Sequence, residues 1–69
     1  MNKRCNLETF RINLGLTQEQ MAEKLQCTRV YYNMIENGKS FGTIEFWENF
    51  KRVFGIENYD MWDLIERGA

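Results

Sequence analysis

Residues 16–38, LTQEQMAEKLQCTRVYYNMIENG, carry two helix starts and a helix stop in close succession. Thr17-Gln18-Glu19-Gln20 is a capping box, in which the Thr17 hydroxyl and the Gln20 side chain each satisfy a backbone donor that a first helical turn leaves unpaired. Met21, Ala22 and Leu25 then give this helix its apolar face. Only Gln26 and Cys27 separate Leu25 from Thr28, a second N-cap, whose helix runs through Ile35 and Glu36 to a stop at Asn37-Gly38. Two helices joined by so tight a turn cannot lie antiparallel as a hairpin. They must cross steeply, which is the geometry of a helix-turn-helix.

The flanks supply the rest of a helical bundle. Upstream, Leu7, Phe10 and Leu14 share one helical face, with Asn6 as the expected N-cap and Gly15 as the stop. Downstream, Thr43 caps a fourth helix that ends at Gly55 and turns Phe46, Phe50, Val53 and Phe54 inward. A fifth starts near Asn58 and carries Met61, Trp62, Leu64 and Ile65. The chain has no proline, so its breaks fall to Gly15, Gly38, Gly42, Gly55 and the capping side chains. The expected fold is all-α: a compact five-helix bundle, one domain over residues 1–69 with its core at about 7–65 and frayed ends.

Composition narrows the function. Nine Lys and Arg face ten Asp and Glu, a formal charge of −1, so the protein does not coat nucleic acid by charge alone. The balance is uneven: six basic and four acidic residues precede Ser40, and three basic and six acidic follow it. The first half is therefore the better surface for a polyanion. There is no histidine, the only serine is Ser40, and the two cysteines, Cys5 and Cys27, lack the paired spacing of a zinc site. With no phosphate-binding glycine loop either, an enzyme is the least favoured class and no cofactor is expected. The start lacks the apolar stretch of a signal peptide, and no run reaches the roughly 18–20 apolar residues of a membrane helix. The expected setting is the cytoplasm, with no membrane partner and no evident small-molecule ligand.

The block from Gly15 to Leu25, followed by Ile35-Glu36-Asn37-Gly38-Lys39, resembles the Cro/C1 repressor-type helix-turn-helix family of bacteria and their phages, and the likeness extends from about Leu7 to Ile65. It implies a lambda repressor-like bundle, with the helix-turn-helix as helices 2 and 3, that binds double-stranded DNA as a small transcriptional regulator. The third helix would enter the major groove, often in a dimer on paired half-sites. The family's base-reading positions fall on Arg29, Val30, Asn33 and Met34. Arg29 suits guanine, Asn33 adenine, and the two apolar side chains the thymine methyl. Phosphate contacts fall on Gln18 and on the loop around Asn37, Lys39 and Ser40, with hydroxyl help from Thr28 and Tyr31. Two positions depart from the family pattern. Gln26 replaces the turn glycine, and a non-glycine residue at positive φ costs on the order of 1 kcal/mol. Tyr32 replaces a smaller Ile or Val, so the core must rearrange around it or its hydroxyl must reach the surface.

The second half is crowded with aromatics. Phe46, Phe50 and Phe54 form one core stripe, whereas Trp47, Met61 and Trp62 are hard to bury together and are expected at a homodimer contact through the last helix. An alternative reading is a protein-interaction module, antitoxin-like or anti-repressor-like, in which Val30, Tyr31 and Met34 bind a protein and DNA binding is weak or absent.

Overall fold

The computed structural model describes residues 3–65, apart from the side chains of 58–60. The helices are α1 (Cys5–Asn13), α2 (Gln18–Lys24), α3 (Arg29–Glu36), α4 (Ile44–Phe54) and α5 (Asn58–Ile65), and there is no strand among the described residues. One core draws on all five: Leu7 from α1, Met21 and Ala22 from α2, Tyr32 and Ile35 from α3, Phe46 and Phe50 from α4, and Met61 and Leu64 from α5. Leu25 closes it at the turn.

Three of the helix starts follow directly from threonine chemistry. Thr17 accepts from the Gln20 N–H at 3.1 Å while the Gln20 Oε1 accepts from the Thr17 N–H at 2.9 Å, the reciprocal pair of a capping box. Thr28 and Thr43 accept in the same way from Tyr31 and Phe46, at 3.1 and 3.0 Å. The first helix differs. Asn6 lies inside α1 rather than at its cap, the N-cap residue is Arg4, and no side chain caps the helix. Asn6 instead donates to the Asp63 carbonyl at 3.0 Å and ties α1 to α5.

Arg4 is held in place, although fraying was expected of the first few residues. The Arg4 side chain is buried; its Nε donates to the Ile65 carbonyl at 2.8 Å, and its NH1 donates to the carbonyls of Ile35 and Ser40, the latter at 2.9 Å. One cation therefore satisfies carbonyls at the C-terminal ends of α3 and α5, where a positive charge also suits the helix dipole.

Two core expectations fail on the edges of their helices. Leu14 is 47% exposed, lying past the last residue of α1 as its C-cap, and Val53 is 42% exposed, lying beside and not on the inward row of Phe46, Phe50 and Phe54. Phe10 and Phe54 meet each other instead, edge to face at 5.4 Å between ring centres, and both pack against the central Phe50. No helix among the described residues is long and apolar enough to cross a membrane.

Candidate nucleic-acid interface

The turn between α2 and α3 decides how α3 is presented. Leu25 ends α2, Gln26 takes φ 57°, the Gln26 N–H donates to the Glu23 carbonyl at 3.2 Å, and the Cys27 N–H donates to the Ala22 carbonyl at 3.0 Å. This is a Schellman closure with glutamine at its left-handed position. The same closure ends α3 with a glycine: Gly38 has φ 78°, and the Lys39 N–H reaches the Met34 carbonyl at 2.8 Å. The turn keeps the shape glycine would give it, at the cost of holding Gln26 where its Cβ crowds the backbone.

With that turn in place, α3 divides cleanly. Tyr32, Ile35 and Glu36 are buried, while Arg29, Val30 and Met34 are exposed, Val30 by 64%. Asn33 lies half-buried between these faces. Its Nδ2 donates to the Gln18 Oε1 at 3.0 Å, and its Oδ1 accepts from the Asn37 Nδ2 at 3.1 Å. Gln18 continues the chain by donating from Nε2 to the Glu36 carboxylate at 3.0 Å. The carboxylate, 1% exposed, also accepts from the Arg11 guanidinium at 2.9 and 3.2 Å. Five side chains from α1, α2, α3 and the loop after it are thus linked from the core to the surface.

Burial pushes the Glu36 carboxyl up, but the hydrogen bonds from Arg11 and Gln18 outweigh it and hold the group below its ordinary value. The Glu36 hydrogen bond raises Arg11 in return. Beside them Tyr32 is fully buried, and its hydroxyl stays inside and does not reach the surface. No described residue meets that hydroxyl in hydrogen-bonding geometry, and burial followed by the nearby Glu36 charge drives it well above the usual phenol range.

A helix-turn-helix family model matches residues 7–49, from α1 into α4. The chain belongs to the Cro/C1-type helix-turn-helix family. No curated protein and no solved structure gives a match. Membership makes this a helix-turn-helix protein of the DNA-binding regulator kind, a family of regulators and not of enzymes.

The structure brings together some of the Cro/C1-type site positions and separates others. Arg29, Val30, Asn33 and Met34 line up along α3, with Gln18 and Asn37 bonded beside them. Thr28 is exposed at the helix start, and Lys39 is exposed in the loop after α3. Tyr31 turns away: its hydroxyl accepts from the Thr43 N–H at 3.1 Å and its ring stands edge-on to Phe46. Ser40 is half-buried, its Oγ accepting from the Gly42 N–H at 3.2 Å and its carbonyl from Arg4. Of the expected dimer residues, Met61 is buried at 6% exposure and belongs to the core, Trp47 is half-buried and Trp62 is 55% exposed.

Sequence reasoning missed Arg4, Arg11 and Glu36 as organising residues. The last two carried a signal. Arg11 falls four residues after Leu7 and next to Phe10 on the inward side of α1, and Glu36 follows Tyr32 and Ile35 at inward spacing on α3. Opposite charges at core-facing positions of two helices point to a buried pair. Arg4 carried none, because its partners are backbone carbonyls from three distant places.

Proposed function

We propose that this protein is a sequence-specific double-stranded DNA-binding regulator of transcription, acting in the cytoplasm, in which α3 enters the major groove. The observation that carries this reading is the division of α3, with one face locked into the core, Arg29, Val30 and Met34 exposed on the other, and Asn33 at the border between them. Arg29, at the first turn and exposed, has the donor fork that guanine O6 and N7 accept. Asn33 spends one N–H on Gln18 and one lone pair on Asn37, which leaves one donor and one acceptor on the same amide, the pair that adenine requires. Its two neighbours hold it in a fixed orientation before DNA arrives. Val30 and Met34 supply apolar contact to thymine methyl groups.

Backbone contacts fall to Gln18, Thr28, Asn37 and Lys39, which flank this face. Tyr31 and Ser40 are weaker candidates, since their hydroxyls already serve the α3–α4 loop. Selection from a random duplex library, followed by gel shifts at defined salt, tests the proposal. An enriched motif bound at least about a thousandfold more tightly than random duplex supports it. No enrichment, with no shift even at low salt, overturns it in favour of a protein partner on the apolar Val30–Met34 face.

A further inference from the structure

The hydrogen bonds that run outward from Glu36 have a direction. Its side chain accepts twice from the Arg11 guanidinium, at 2.9 and 3.2 Å, and stays a carboxylate, a group that can only accept. Gln18 therefore meets it with Nε2, at 3.0 Å, and turns Oε1 the other way. That oxygen accepts from the Asn33 Nδ2 at 3.0 Å, and the Asn33 Oδ1 in turn accepts from the Asn37 Nδ2 at 3.1 Å. The nitrogen and oxygen ends of a carboxamide are close to the same size, so packing alone does not choose between them. One buried charge chooses for all three.

We propose, building on the DNA-binding reading, that Glu36 determines the base preference of Asn33, by setting through Gln18 which way round the Asn33 amide faces the major groove. Adenine offers an acceptor at N7 and a donor at N6, so an asparagine pairs with both in only one of its two orientations. Turned over, it meets donor with donor and acceptor with acceptor. Glu36 is 1% exposed and cannot touch DNA itself, which makes it a positioning residue.

The backbone holds the members of this relay at bonding distance. The Thr17 cap places Gln18 in the first turn of α2, and Asn33 and Asn37 lie four apart at the end of α3, neighbours on one helical face. Glu36 is closed to water, while Gln18, Asn33 and Asn37 are half-buried, so a direction set in the core is carried out to the surface where a duplex would lie. Asn33 then has no amide to reorder when bases arrive.

Two arms test this, one of them without DNA. In the free protein the side-chain NH2 resonances of Gln18, Asn33 and Asn37 report the relay. Glu36→Gln, which can turn either an oxygen or an NH2 toward Gln18, is expected to move all three, although Gln18 alone of them is bonded to that side chain. Gln18→Met cuts the relay but leaves the Arg11–Glu36 pair in place, and so serves even if the buried substitution fails to fold; it is expected to move the Asn37 resonance, with which Gln18 has no bond. On the selected duplex the wild-type chain is expected to prefer one A·T pair by at least about tenfold, a preference that Asn33→Ala abolishes. Glu36→Gln and Gln18→Met should each reduce it to within about threefold, and Glu36→Gln should change it no further once residue 33 is alanine. Weakening on every sequence with that preference intact is what a merely structural role gives, and it overturns the inference while DNA binding stands. Asn33 and Asn37 resonances unmoved by Glu36→Gln, or additive effects of Glu36→Gln and Asn33→Ala on the preference, overturn it equally. Absence of any selected motif overturns the DNA-binding reading, and this inference with it.

Discussion

The Arg11 guanidinium reaches from α1 to the Glu36 carboxylate on α3, at 2.9 Å and with almost no water contact at the acid. Replacing both partners with apolar groups costs little in such places, but removing one leaves an unpaired charge in the core. Arg11→Met is therefore expected to destabilise by about 3–5 kcal/mol, read as a large fall in the midpoint of thermal unfolding. A shift of only a degree or two would mean the pair is solvated and structurally idle.

The same pair sets a pH dependence. Glu36 titrates below its ordinary value of 4.5 in the folded chain, so the folded state binds its proton less readily than the unfolded state does. The stability this contributes is fully present above the unfolded value and is lost as pH falls through the folded one. Denaturant titrations from pH 6 down to pH 3 should show stability dropping across the acid range. Glu36→Gln should be less stable at pH 6 and flatter below it; a parallel pair of curves would remove Glu36 as the source.

Gln26 holds φ 57°, in the region glycine enters freely. Gln26→Gly is expected to stabilise by about 0.5–1 kcal/mol, a rise in melting temperature of several degrees in a domain of this size. A fall would show that the exposed Gln26 side chain makes a contribution larger than its backbone strain.

The Tyr32 hydroxyl is buried with no partner in hydrogen-bonding geometry. Removing an unsatisfied polar group from a core is neutral or favourable, so Tyr32→Phe should melt at the same temperature or higher. A loss of more than about 1 kcal/mol would indicate that the hydroxyl donates to Glu36 and belongs to the buried network.

Arg29 and Lys39 should separate base reading from backbone contact. Arg29→Ala is expected to cost about 1–3 kcal/mol on the selected duplex and to relax the preference at one base pair. Lys39→Ala should weaken selected and random duplexes alike and reduce the slope of log affinity against log salt by about one. Identical behaviour of the two variants would remove the base-reading role of Arg29.

The helix-turn-helix was legible in residues 16–38 because its signals are local: a capping box, a second threonine cap and an Asn-Gly stop each act within a few residues. Helix order and most of the core followed from the same short-range chemistry, and the left-handed strain at Gln26 followed from the resemblance to a family with glycine there. What lay beyond reach involves partners far apart in sequence. Leu14 and Val53 satisfy helical spacing, yet whether a neighbouring helix covers them depends on how the bundle closes. The destination of Arg4, whose guanidinium collects carbonyls from Ile35, Ser40 and Ile65, has no periodicity to betray it. Met61 and Trp62 are adjacent and equally apolar, but only the rotation of α5 against the core buries one and exposes the other. Local chemistry determined the motif, and tertiary packing decided which of its polar groups are held together and which apolar ones stay exposed.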